Sequence, residues 1–394
     1  MRIAVIGAGI GGLSAAVGLQ RAGADVTVFE RAPEVRAGGS GLSIFANGLA
    51  ALETLGLSEA FAAVTDAGVD VFAAGQRRAD GRWIAQVPNE SVGALRIVDR
   101  ADLHRILLDA LAPATVRTGS EVAVTSTGGK LRVEAGSAGS AGSESFDLII
   151  GADGLHSRTR TVVDGETVAP RYSGYSAWRG ITSVPVDLSG EAGESVRHGR
   201  RFGIAPLADG RVYWFAVANM PQNAVFTDEK ATVEQMFSGW HSPIADLIAA
   251  TPAEEVRRTA ISDLSRRLAR FHRGRVVLIG DAAHAMTPNL GQGGGQALED
   301  AATLTVLLTP VLAHREAGNA AESSAALESA LRRHDALRRP RTQSIAQKSR
   351  LMGQVFQLES PLLAGLRNAV FSAVPSRLIA AQAASVQKWS PPTV

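Results

Sequence analysis

Three segments of this chain place glycines and carboxylates at spacings that can hold a nucleotide. The first is Gly7-x-Gly9-x-x-Gly12, inside GAGIGG at the start of the sequence. Glycines there permit a tight turn after a strand and let bare backbone approach a pyrophosphate, which the positive N-terminus of the following helix attracts. Glu30 stands 18 residues after Gly12, at the end of the next apolar run. A carboxylate in that place accepts hydrogen bonds from a ribose diol and repels a 2′-phosphate, so the pattern predicts the adenosine half of FAD or NAD rather than NADP.

The second segment is DLIIGADGLHSRTR, residues 147–160, and the third is RVVLIGDAAHAMTPNL, residues 275–290, which runs into Gly291, Gly293, Gly294 and Gly295. In both, a short apolar strand ends in a carboxylate, Asp153 or Asp281, on the side where parallel sheets bind their ligands. The glycine run offers backbone N–H groups at the start of a helix, an arrangement suited to an anion. His156 and His284, beside these carboxylates, read as local hydrogen-bonding residues. GxSxG, HExxH and GxxxxGK[ST] are all missing, and eight scattered histidines suggest no metal centre.

These residues need a parallel sheet behind them. Arg2–Ile6 and Asp25–Glu30 read as strands around a helix from Leu13 to Arg21, and Phe146–Ile150 and Val276–Ile279 share the same apolar, fully buried character. All four are expected in one sheet, despite the distances between them in sequence. Residues 122–150 read as a meander whose hairpin tip is Gly136–Ser143. From 170 to 270 the pattern alternates between turns, as antiparallel strands do. Helical periodicity returns at Gln296–Leu308 and Ala320–Phe356, where Pro340 should kink the helix. The arginines around it read as a solvated or salt-bridged face.

The length of 394 residues fits two to three domains, and 40 cationic against 38 acidic side chains leaves +2, without the basic excess of a nucleic-acid binder. Cysteine is absent, which removes disulfides and thiolate chemistry and fits a reducing compartment, the cytoplasm by default. Neither a signal peptide nor a membrane-spanning segment is expected: Arg2 is followed by only four apolar residues before the glycines, and Pro361–Ala384 is broken by Arg367, Pro375 and Arg377.

Taken together, the motifs resemble the FAD-dependent monooxygenases of the para-hydroxybenzoate hydroxylase type, the single-component aromatic hydroxylases and their epoxidase relatives. GAGIGG (Gly7, Gly9, Gly11, Gly12) with Glu30, then Asp153-Gly154-x-x-Ser157-x-x-Arg160, then Gly280-Asp281-Ala282-Ala283-His284 occur in the family's order over nearly the full chain. The resemblance implies an α/β fold: a Rossmann-like FAD-binding domain (1–70, 99–169, 270–340), an interleaved antiparallel β substrate domain (71–98, 170–269) and a helical C-terminus (341–394). The thioredoxin-like extension of the long members is not expected.

By the same resemblance, Arg31, Ser43, Arg100, Val122, Pro288, Gly291, Gly293 and Gly294 join the FAD contacts. Asp281 should accept a hydrogen bond from a ribityl hydroxyl, and the helix after the glycine run should stabilise anionic reduced flavin. For Asp153 two readings stand side by side: it orders its own turn and Arg160, or with Arg160 it contacts FAD and the pyridine nucleotide. Arg201 and Tyr213 lie close to where members place a substrate arginine and tyrosine, with Trp178 and Arg179 as further candidates and Trp240 as packing.

The implied reaction is hydroxylation of an aromatic or heteroaromatic small molecule with NAD(P)H and O2 through a flavin C4a-hydroperoxide. Epoxidation and an FAD-dependent oxidoreductase without oxygen insertion are the alternatives. A flavin-binding protein without activity would require a damaged motif. A monomer or homodimer is expected.

Overall fold

The computed structural model describes residues 1–35, 40–65, 72–87, 94–134, 142–316 and 320–393. Most of the expected hairpin tip, residues 136–141, lies outside them.

Four parallel strands, Asp25–Phe29, Arg2–Ile6, Leu148–Gly151 and Val276–Leu278, lie side by side in that order, in the single sheet that their apolar runs predict. Val116–Arg117 adds a parallel edge beyond Asp25–Phe29, and His272–Arg273 an antiparallel one beyond Val276–Leu278. The sheet is covered on both faces, so its four central strands are apolar apart from Arg2 and Asp25 at their exposed starts and Thr27. On one face Ile3, Val5, Leu148, Ile150 and Val277 pack against helices Ile10–Arg21 and Gly293–Glu316. On the other, Ala4, Ile149, Val276 and Leu278 pack with Val122, Leu131 and Phe146 of the small antiparallel meander. Parallel pairing brings the carboxyl ends of three strands to one edge, where Gly7, Asp153 and Asp281 follow them.

The second sheet has seven strands, in the order Arg257–Leu264, Pro170–Ile181, Val212–Asn219, Arg200–Pro206, Gly193–Arg197, Ala74–Arg78 and Trp83–Val87, all antiparallel except the pair of Gly193–Arg197 with Ala74–Arg78. Strand alternation sorts its side chains. Trp178, Phe202, Ile204 and Trp214 face a cluster with Val233, Phe237, Trp240 and Leu247. Phe202 stacks on Trp214 at 5.4 Å, and Trp240 meets Phe237 at 4.9 Å, the packing role expected of it. Tyr175, Arg179, Arg201, Tyr213 and Phe215 occupy the opposite face.

Gly41–Ile44 pairs antiparallel with Arg96–Asp99. Helix Ala320–Phe356 runs through Pro340 without interruption, although proline there removes the hydrogen bond to the Ala336 carbonyl. Of the two readings of its arginines, solvated or salt-bridged, salt bridges hold for Arg332, Arg338, Arg339 and Arg341; Arg332 and Arg333 are exposed, while Arg338 is 1 % exposed. Helices Pro361–Ala373 and Ser376–Gln387 complete the chain. Among the described residues no helix is long and apolar enough to cross a membrane.

Candidate active site

The three glycines of the first motif serve different needs. Gly7 has φ +105°, and a Cβ on it would stand 2.5 Å from the carbonyl oxygen of Ala152; one on Gly12 would stand 2.1 Å from the carbonyl oxygen of Gly7. Both are required for the turn itself. Around Gly9 a Cβ would meet nothing within 4 Å. Gly9 caps helix Ile10–Arg21, whose first turn holds no acid and whose leading amides point out of the helix end, so the open space faces a ready anion cradle.

Glu30 reaches this loop. One carboxylate oxygen accepts the Ala8 N–H and the other the Ala32 N–H, each at 2.9 Å, leaving lone pairs for a diol. His104, which no motif in the sequence singles out, is buried and donates from Nε2 to the Ala8 carbonyl at 2.7 Å; burial lowers its pKa, which favours the neutral donor. Arg31 and Arg100 lie exposed nearby in the chain, while Val122 is buried in the core with Phe29.

For Asp153 the turn-ordering reading matches the geometry. Its carboxylate accepts from Ser157 Oγ at 2.5 Å, from the Arg158 and Thr159 amides at 3.0 Å and from Thr159 Oγ1 at 2.9 Å. Arg160 is not among those donors. Its guanidinium is 2 % exposed and spends all five N–H groups on backbone carbonyls: Ala282, Leu155, Val168, Gly154 and Asp281. Burial lowers its pKa against the pull of Asp153, Asp281 and Asp164. Arg160 retains no donor for a cofactor, which corrects the expectation that its side chain contacts one; Asp153, half-buried, holds the turn, and its Oδ1 accepts only the Ser157 hydroxyl.

Asp281 differs, because its carbonyl is taken by Arg160 while its side chain is exposed at the strand's carboxyl end. The preceding Gly280, at φ +58°, donates its N–H to Asp300 Oδ2 at 2.8 Å, and His284 Nε2 donates to the same oxygen at 2.6 Å. His284 is thus the local hydrogen-bonding residue its position suggests. Asp300 and its partner Arg338 carry no motif signal, since the sequence around each shows only helical periodicity.

The glycine run packs against the strand Gly41–Ile44 and against Phe45, the next residue. A Cβ on Gly291 would come within 3.0 Å of Phe45 and 3.7 Å of Ser43, and one on Gly294 within 3.0 Å of Leu42; Gly293 faces open space. Pro288, exposed, begins the short turn that leads into this run.

Above it lies the inner face of the seven-stranded sheet. Tyr213 packs against Gly41, where a Cβ would stand 2.2 Å from its ring. Burial pushes its phenol up in pKa, opposed by Arg179 on the same face. Arg201 is 3 % exposed, hence no solvated strand residue; it contacts Glu194 at 3.2 Å and donates to Asn289 Oδ1 at 2.9 Å. Asn289 in turn donates to Tyr175 Oη at 2.9 Å. Tyr213 pairs with Ala205, four residues along from Arg201, so the two residues stand about 13 Å apart along the strands at ~3.3 Å per residue. Phe215 covers Gly203 between them. Trp178 is excluded from this face: it is buried on the other side, bonded to Glu229 at 2.6 Å.

The donor set fits a dinucleotide that lies along the sheet's carboxyl edge. It comprises an open helix N-terminus at Gly9, a half-used carboxylate at Glu30, an exposed one at Asp281 and a second open helix start at Gly293. Among the described residues no group of histidines and carboxylates could hold a metal.

Comparison with known proteins agrees. The model of the FAD binding domain family matches residues 1–347. Aurachin C monooxygenase/isomerase of Stigmatella aurantiaca is 34% identical over 403 residues, covering 99% of each chain. The 3-amino-4-hydroxybenzoate 2-monooxygenase of Streptomyces cremeus is 35% identical over 373 residues, 91% of this chain and 88% of that one. Among solved structures, Klebsiella pneumoniae HpxO complexed with FAD and uric acid is similar with a TM-score of 0.82 at 29% identity, over 98% of this chain and 96% of the other.

Proposed function

This chain belongs to the FAD binding domain family and is an FAD-dependent monooxygenase, and on that premise we propose that it hydroxylates a planar aromatic or heteroaromatic ring carrying an ionisable oxygen, with NAD(P)H as reductant and O2 as oxidant. Bound FAD supplies the two-electron redox and oxygen-transfer chemistry. In this reading Gly7, Gly9, Gly11 and Gly12 seat the pyrophosphate, Glu30 holds the ribose diol and Asp281 a ribityl hydroxyl. The helix start at Gly291, Gly293 and Gly294, with Ser43 and Pro288, would hold the flavin and favour its anionic reduced form, and Arg31, Arg100 and Val122 would contribute to holding the rest of the cofactor. Residues 1–70, 99–169 and 270–340 form the cofactor domain, 71–98 and 170–269 the substrate domain, and 341–394 the helical end.

The observation that supports the substrate class most is the inner face itself. Arg201 and Tyr213 bracket the aromatic surface of Phe215, with Asn289 joining Arg201 to the loop that precedes the glycine run. A ring lying on Phe215 meets a guanidinium at one end and a phenol at the other, which fixes its orientation and excludes water from the reacting carbon. The related proteins named for 3-amino-4-hydroxybenzoate and complexed with uric acid suit such a surface.

The test is a screen of phenols and heteroaromatic acids for stimulated NAD(P)H oxidation, with product analysed after reaction under oxygen-18 gas. Gas-derived label in a hydroxylated ring is expected. Substrate turnover without label would replace the reading with an oxidoreductase that inserts no oxygen, and label in an epoxide would replace it with an epoxidase.

A further inference from the structure

Behind the two turns assigned to the flavin sits a charge cluster with no exposed member on its acidic side. Glu299 and Asp300 are fully buried, adjacent on helix Gly293–Glu316. Asp300 Oδ1 accepts from Arg338 Nε at 2.6 Å, and Glu299 pairs with Nη1 of the same guanidinium. Glu299 also accepts from Asn47 Nδ2 at 2.6 Å, Gln296 Nε2 at 2.8 Å and Arg341 at 2.7 and 2.8 Å. Burial alone would raise the Asp300 pKa, but His284 and Arg338 hold it well below the usual carboxylate range; Glu299 is lowered likewise, against burial, by Arg338 and Arg341. Two buried anions thus face two cations, Arg338 buried with them and Arg341 at the cluster's partly exposed edge.

Such a cluster is a poor way to add stability, because desolvating each ion costs much of what pairing returns and apolar residues pack as well. Its position suggests another use. Asp300 grips Gly280, the residue before Asp281, and stands seven residues into the helix whose first turn is at Gly293, about 10 Å along the axis at ~1.5 Å per residue. At that distance, inside protein, one unbalanced charge acts strongly on an anion at the helix end.

We infer that Asp300 is a positioning residue: it fixes the Gly280–Asp281 turn and, balanced against Arg338, sets how much more tightly the site holds reduced anionic flavin than oxidised flavin. The inference rests on the cofactor placement proposed above. It assigns to each charge a sign of effect. Asp300→Asn leaves the cluster with one cation in excess and favours the reduced anion; Arg338→Gln leaves Asp300 unbalanced, since Glu299 keeps Arg341, and disfavours it.

The experiment is a spectroelectrochemical titration of bound flavin in wild type, D300N, R338Q and the double variant, with FAD affinity measured by fluorescence titration of each apoprotein. D300N should raise the ratio of reduced to oxidised affinity about tenfold, equivalent to about 30 mV upward in a two-electron couple. R338Q should move it downward by a similar factor, and the double variant should return towards wild type. E299Q, which removes the other carboxylate, should move it upward and serves where D300N or R338Q does not fold. A purely structural role for the cluster loosens the site in every variant and shifts the potential in one direction or none, and that result would overturn the inference. Failure of the wild-type protein to bind FAD at all would instead overturn the cofactor placement.

Discussion

Arg160 Nη2 lies 2.9 Å from the carbonyl oxygen of Asp281, 121 residues away, and its Nε lies 2.7 Å from that of Ala282. The other three donors hold Gly154, Leu155 and Val168, so one side chain binds together the loops that leave two neighbouring parallel strands. Arg160→Met leaves five carbonyls without these donors. At a typical cost of about 1 kcal/mol per lost bond, partly recovered by relaxation, the fold should lose about 2–4 kcal/mol and FAD should dissociate more readily. Urea unfolding of both proteins with and without FAD measures this. A variant as stable as wild type in both states would mean that the clamp contributes nothing.

That clamp also marks the limit of what the sequence discloses. The strand-turn-helix at Gly7–Gly12 and the strand-end carboxylates are legible because glycines, apolar runs and their order are local signals. Arg160 is visible as part of a motif, yet whether its donors point at a cofactor or at carbonyls depends on where residues 281 and 282 arrive. Arg338 looks like one arginine among many on a charged helix, and only packing against residues 299 and 300 separates it from Arg332 and Arg333. Arg201 and Tyr213 are visible only through resemblance, because the pairing register that puts them on one face, and Trp178 on the other in an aromatic core, is set by contacts between strands.

Asp281 offers the cleanest separation of binding from folding, since its carboxylate is exposed while its carbonyl does the structural work. Asp281→Ala should leave the melting temperature of the apoprotein within about 1 °C of wild type, as an exposed substitution that removes no packing. Its affinity for FAD should fall about two- to tenfold, the value of one hydrogen bond at ~0.5–1.5 kcal/mol. Equal FAD affinities in a fluorescence titration would remove Asp281 from the site.

Arg201→Gln tests the substrate anchor. It should lower kcat/KM at least tenfold, about 1.4 kcal/mol of transition-state binding, with FAD content unchanged. Because the guanidinium also balances Glu194, a parallel E194Q variant separates the two effects. If R201Q and E194Q lose activity equally, the ion pair matters for folding of the strand and not for the ring. Loss confined to R201Q supports the anchor.

A histidine that touches no ligand should govern the response to acid. His334 is fully buried on helix Ala320–Phe356, neither ring nitrogen has a hydrogen-bond partner, and burial, reinforced by Arg338 and opposed by Asp300, pushes its pKa down to about 4. The unfolded chain protonates this imidazole below its ordinary 6.5, whereas the folded chain refuses the proton until about 4. Between those values the unfolded state binds more protons, so the stabilising contribution is complete above pH 6.5 and is lost as the pH falls towards 4. The depressed pKa corresponds to a loss on the order of 3 kcal/mol across the window, at ~1.36 kcal/mol per pH unit. His334→Leu has a similar volume and no proton to gain, so its unfolding free energy should match or exceed wild type at pH 7 and fall less between pH 6.5 and 4.5. Urea titrations at four pH values in saturating FAD measure the difference. Parallel pH profiles for the two proteins would show that His334 is protonated, or solvated, in the folded state.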